Sequence, residues 1–167
     1  MPVRPFAAAA VFENSVRIGR PVEDVFDYAS DVRNELEWNP DCRSVEALTP
    51  GPIRAGSRFR VQWSGSPPMD VEVTVVERPH RWTAFATSRG LDVRFHGRVD
   101  HEPGGATLRV RMELMPVGRT RLLFPLIRLI IGRGERRNMR LIKQALEGAP
   151  VSASAGRSVD GPRRSRP

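Results

Sequence analysis

The sequence predicts an α+β domain: a curved antiparallel sheet of about seven strands, two short helices after the first strand, and one long C-terminal helix over the sheet. Three observations predict it. Several segments alternate polar and apolar residues with a period of two, the mark of strands with one buried face. The period changes to 3.6 twice, briefly after the first strand and again from about residue 119 to 148. A sheet wet on one side has to cover its apolar face, and the last helix is the long element left to do so.

Each element has a local cause. In VFENSVRI (11–18), Phe12, Val16 and Ile18 alternate with Glu13, Ser15 and Arg17. RPVEDVFDYAS follows, with Pro21 suited to a first helical turn and Glu23 and Asp24 placed where the helix dipole favours acids. Val22, Val25, Phe26 and Ala29 form its apolar stripe. Asp31 is placed to cap a second short helix, 32–38, which Pro40 ends. Six strand-like runs come next. RSVEAL is the first. SRFRVQW puts Phe59, Val61 and Trp63 on one face, and DVEVTVVE puts Val71, Val73 and Val75 on one face. WTAFATS follows the turn RPHR. LDVRFHGRVDH separates Leu91, Val93, Phe95 and Val99 from Asp92, Arg94, His96, Arg98 and Asp100. After the turn EPGG, ATLRVRMEL does the same with Ala106, Leu108, Val110, Met112 and Leu114. In the final helix, Leu123, Ile127, Ile130, Gly134, Asn138, Leu141 and Ala145 fall on one stripe. Pro125 marks its true start or a kink, and Gly148 and Pro150 end it. The domain therefore spans 11–148, between a lead-in (1–10) and an Arg-rich tail (149–167) that reads as disordered.

Composition narrows the function classes. The chain has 167 residues, 40% hydrophobic and 28% charged, as in ordinary globular domains. FAAAAVF is too short for a secretory signal, and LLFPLIRLIIG, broken by Pro125 and Arg128, falls short of the ~20 residues that span a bilayer. With one cysteine, Cys42, no internal disulfide forms, and the expected location is cytoplasmic. The net charge of +8 invites a nucleic-acid partner. Against it, the tail's Arg157, Arg163, Arg164 and Arg166 face only Asp160, and the body's arginines are scattered with few aromatics to stack bases. No nucleic-acid partner is expected.

The stretches RPVEDVFDYASDVRNELEWNPDC, GSRFRV, VVERPHRWTAFAT and GGATLRVRMEL, with the closing amphipathic helix, resemble in order and spacing the START/Bet v 1-like (SRPBCC) superfamily. The likeness is to its polyketide cyclase/dehydrase and lipid-transport branch, and covers residues 11–148. It implies a helix-grip fold enclosing a hydrophobic cavity. It carries over no shared catalytic residue, and no cofactor.

His96 and His101 lie five apart on one strand and face opposite sides, so with His80 in a turn no metal site is expected. No nucleophile elbow is present, and Cys42 has no obvious histidine partner. An apolar wall is the better candidate for binding: Phe59, Val61, Trp63, Val73, Trp82, Phe95 and Met112 from the sheet, with Ile127, Ile130 and Leu141 from the helix. The same residues also read as plain core filling. Asn138, polar within the helix stripe, is either a donor facing the cavity or a tolerated edge position. With His101 at a strand end, it is a candidate for acid–base work should the domain be a polyketide aromatase/cyclase or dehydratase. Trp38, before Asn39–Pro40, is expected at the corner into the next strand, as plug or gate at one end of the cavity. The leading expectation is binding of a small hydrophobic or amphipathic ligand, lipid or polyketide-like. A lipid-surface protein is the third reading, because LLFPLIRLII lies beside an arginine-rich helix face. Ligand identity and oligomeric state stay open.

Overall fold

A computed structural model describes residues 7–148. The expected tail at 149–167 and residues 1–6 of the lead-in lie outside that range. β1 (Ala10–Ile18) is followed by α1 (Val22–Ser30), a 3-10 turn (Val32–Asn34) and α2 (Glu35–Trp38). Then come β2 (Cys42–Ala47), β3 (Arg58–Trp63), β4 (Met69–Glu77), β5 (Arg81–Thr87), β6 (Leu91–Glu102) and β7 (Gly105–Pro116). α3 (Thr120–Gly148) closes the domain. The strands form one antiparallel sheet in the order β1-β7-β6-β5-β4-β3-β2, so a chain of hairpins is completed by β1 pairing with β7. The α+β helix-grip architecture expected from the periodicities is the one observed.

The caps follow the expected chemistry. Asp31 Oδ1 accepts from the Arg33 backbone N–H at 3.0 Å, as an N-cap does. Two irregularities bend the sheet, one between Cys42 and Ser44 on β2 and one between Val73 and Val75 on β4. The second corrects the expected strand parity. Val73 pairs with Ala84 and Val75 with Thr83, so one extra residue flips the face. Val76 then packs inward in place of Val75.

The inward face of the sheet carries two apolar clusters. One gathers Phe59, Val61, Val71, Val73, Ala86, Val93, Met112 and Leu114. The other joins Ile18, Val99 and Leu108 to Val25 and Phe26 of α1 and to Met139, Ile142 and Leu146 of α3. Each fully buried Leu, Ile or Phe contributes roughly 1.5–3 kcal/mol, so these clusters dominate stability. Trp82 lies opposite Gly97, where an added Cβ would sit 2.2 Å from the indole. The glycine is the floor on which the ring lies, and Phe26 meets that ring edge-on at 5.5 Å.

α3 packs with a different phase from the one expected. Its inward residues are Phe124, Ile131, Asn138, Met139, Ile142 and Leu146. Leu123 and Ile130, expected on the inward stripe, are 63% and 61% exposed. The physical reason lies in LLFPLIRLII, whose apolar residues are spread around the helix, with Arg128 as its one charged residue, so that they fix no rotation by themselves. The C-terminal half, where apolar residues are sparse, sets the phase.

Candidate functional site

The polar groups that meet on the inward side come from the corner the sequence marks as WNP. α2 ends when the Asn39 backbone N–H bonds to the Glu35 carbonyl at 2.8 Å. Asn39 adopts an extended conformation and Pro40 follows. The Asn39 side chain then works in both directions. Its Nδ2 donates to Glu35 Oε2 at 2.8 Å, and its Oδ1 accepts from the Asp41 backbone N–H at 3.1 Å. Cys42 begins β2 directly opposite Trp63, the last residue of β3. That pairing brings Trp63 Nε1 to Glu35 Oε2, also at 2.8 Å.

Glu35 is half-buried as a residue, yet its carboxyl is enclosed. Burial raises its pKa on balance, against the donors Trp63 and Asn39, which act to lower it. Glu135 of α3 points into the same region. Its pKa is pushed up to about 7, first by burial and then by the negative charge of Glu35. The two carboxyls are thereby differentiated: Glu35 accepts two side-chain hydrogen bonds that favour its ionised form, and Glu135, without such donors among the described residues, holds or releases a proton near neutrality. Cys42 stands beside them, its thiol raised to about 11 by burial and then by Glu35. It remains protonated and is no nucleophile at neutral pH.

Two more α3 side chains complete the constellation. Arg137 pairs with Asp41 through Nη2, fastening the helix to the corner, while its buried Nε has no partner among the described residues. Asn138 is only 9% exposed, and its Oδ1 is likewise unpartnered. A buried carbonyl without a donor is uncommon and costs about 1–3 kcal/mol. At Gly134 an added Cβ would meet no atom within 4 Å, so the helix stands off its neighbours there.

The expected wall residues divide. Phe59, Val61, Val73 and Met112 are buried in the first cluster, with Trp63 and Phe95 packed at its margin. Trp82 belongs to the second cluster, and Trp38 packs against it as a half-buried residue. Ile127 and Leu141 are half-buried, and Ile130 faces outward. His101 is exposed at the end of β6, beside Gly19–Glu23 at the start of α1, and is no part of the carboxyl group's surroundings. Glu35, Asn39 and Glu135 were missing from the sequence-derived site. Two signals pointed to them: the i,i+4 spacing of Glu35 and Asn39, and the acid at 135, midway between Ile131 and Met139 on the true inward stripe.

With this geometry in view, the family comparison is decisive. Residues 9–147 match the model of the family described as polyketide cyclase / dehydrase and lipid transport. The chain belongs to this family. No curated protein sequence matches it. Among solved structures it is similar to the di-domain aromatase/cyclase BexL of the BE-7585A biosynthetic pathway (TM-score 0.67, 19% identity, 84% of this chain). It spans 51% of that protein, about half its length. It is also similar to the ZhuI aromatase/cyclase of Streptomyces sp. R1128 (TM-score 0.71, 12% identity, 83% of this chain and 93% of the other). A third is Ara h 8.0201 (TM-score 0.65, 15% identity, 84% and 99%). At such identities the likeness is one of fold. This member of the polyketide cyclase / dehydrase and lipid transport family carries its polar constellation at the α2–β2 corner and the middle of α3.

Proposed function

We propose that the protein binds a small hydrophobic or amphipathic ligand, lipid or polyketide-like, between the sheet and α3, with the ligand's polar end against Glu35, Glu135 and Asn138. The observation that carries this reading is the unpartnered Asn138 carbonyl, one helical turn from Glu135, beside an otherwise apolar face. A ligand hydroxyl would satisfy that carbonyl. A ligand carbonyl would accept from protonated Glu135. The first apolar cluster, from Phe59 to Met112, would meet the hydrocarbon or ring portion. Family membership and the likeness to aromatase/cyclase folds support the same ligand class. Titration with fatty acids and aromatic polyketides, followed by tryptophan emission, tests it, because Trp63 is bonded directly to Glu35. A saturable change that Asn138→Ala weakens is expected. No saturable response to either class, and no small molecule retained in native mass spectrometry, would refute the reading.

A second reading, an aromatase/cyclase or dehydratase, is favoured by the Glu135 pKa of about 7. A carboxyl half-protonated at neutral pH can accept a proton from a carbon next to a ligand carbonyl, or give one to a departing hydroxyl. Cyclisation or dehydration of a poly-carbonyl chain needs those two transfers. Glu135→Gln is then expected to abolish turnover while ligand affinity stays within a few fold; unaltered turnover excludes Glu135 as the acid–base group.

A further inference from the structure

We propose that the outward face of α3 docks the protein on an anionic lipid bilayer, a property separate from the enclosed ligand and not dependent on it. Leu122, Leu126, Leu129, Arg133, Arg136 and Arg140 fall on one line along the helix: they span nineteen residues, about five turns. The structure exposes all six. The N-terminal half of that line is apolar, and Leu123 and Ile130 widen it, the five aliphatic side chains being 50–84% exposed. Its C-terminal half is basic. Among the described residues, no carboxylate pairs with Arg133, Arg136 or Arg140. Both acids of α3 are directed elsewhere: Glu135 inward, and Glu147 to the Gly19 N–H and Lys143.

An aliphatic patch continuous with unpaired arginines matches the boundary between acyl chains and phosphates. The leucines would enter the chains, and the guanidinium groups would meet the phosphate oxygens. No described helix is long and apolar enough to cross the membrane, so α3 lies on it. A second copy of this chain fits less well. Two such helices packed leucine to leucine would bring arginines alongside Arg119 and Arg121, with no acid between.

The test is co-sedimentation of the full chain with vesicles of phosphatidylcholine, alone or mixed with phosphatidylglycerol. Binding to the mixed vesicles, weakened by salt, is expected. Leu126→Glu/Leu129→Glu should weaken it about tenfold or more, since two apolar side chains are replaced by charge. Arg133→Ser/Arg136→Ser/Arg140→Ser should weaken it and flatten its salt dependence. Unchanged sedimentation of both variants would overturn the proposal, since binding would then rest elsewhere, as on the arginines at 157–166. So would a wild-type protein that binds neither vesicle, or a wild-type dimer that the leucine variant dissolves. Should the leucine variant not fold, Leu126→Cys carrying an environment-sensitive dye gives the same decision. A blue shift on mixed vesicles supports insertion, and no shift overturns it; buried Cys42, still protonated, stays unlabelled.

Discussion

The Trp63 indole donates its N–H to the Glu35 carboxylate at 2.8 Å, joining the end of β3 to a helix 28 positions earlier. A carboxylate in an enclosed place depends on such donors, and among the described residues only Asn39 also donates to the same oxygen. Trp63→Phe keeps the ring and removes the bond. The expected cost is about 1.5–3 kcal/mol, the range for hydrogen bonds to charged groups. Its pH profile distinguishes it from a packing defect. The bond favours the ionised form, so the cost should be full in alkaline solution and shrink as acid protonates Glu35. Urea denaturation at several pH values measures this; a cost that is the same at every pH would refute the account.

Glu135 makes a prediction of opposite slope from that of an ordinary salt-bridged acid. Its folded pKa of about 7 lies above the usual 4.5. Between those values the native carboxyl keeps a proton that the unfolded chain has lost. Stability therefore falls as pH rises from about 4.5 to about 7 and levels off above, by an amount on the order of 3 kcal/mol. Glu135→Gln should match wild type near pH 4.5 and be more stable at pH 8. A slope of the same sign from Glu35, whose pKa is also raised, should remain. Parallel wild-type and variant curves would rule this out.

These two residues also show what the sequence could and could not disclose. Strand faces on β3, β6 and β7 were legible because polar and apolar side chains alternate without interruption there, and α1 because its stripe and acidic first turn agree. The bulge at Thr74 was not legible: DVEVTVVE alternates as far as Val75, the Val75–Val76 doublet does not say where the face changes, and pairing with β5 places the extra residue. The helix phase failed for a related reason. In a run whose apolar residues are spread around the helix, with Arg128 its one charge, Ile130 could be placed inward with little conflict. That error hid Glu135, which falls inward only on the true phase. Trp38 was legible as a corner residue, but the chemistry of the corner belongs to its neighbours Glu35 and Asn39.

Gly97 is a position where one methyl group should do considerable damage. The ring of Trp82 covers it, and a Cβ would lie 2.2 Å from the indole. Gly97→Ala has to push Trp82 off the strand and disturb its edge-on contact with Phe26. Overpacking of this kind costs about 1–3 kcal/mol. Near-UV circular dichroism should report the displaced indole, and thermal denaturation the lost stability. An alanine variant with unchanged Tm and spectrum would mean that the ring does not rest on the glycine.

Two glycines two residues apart, on roughly opposite sides of α3, give the last prediction. Gly132 and Gly134 both lie inside α3, where glycine costs up to about 1 kcal/mol relative to alanine. At Gly134 an added Cβ meets nothing within 4 Å, so Gly134→Ala should recover about 0.5–1 kcal/mol. At Gly132 the Cβ would lie 2.7 Å from the Phe12 ring of β1. That ring must move, or α3 must lift from the strand, and the helix-propensity gain is offset or reversed. Paired denaturation curves should therefore place Gly134→Ala above wild type and Gly132→Ala at or below it. If Gly132→Ala is stabilised as much as Gly134→Ala, the close approach of α3 to β1 at Phe12 is not a constraint on the fold.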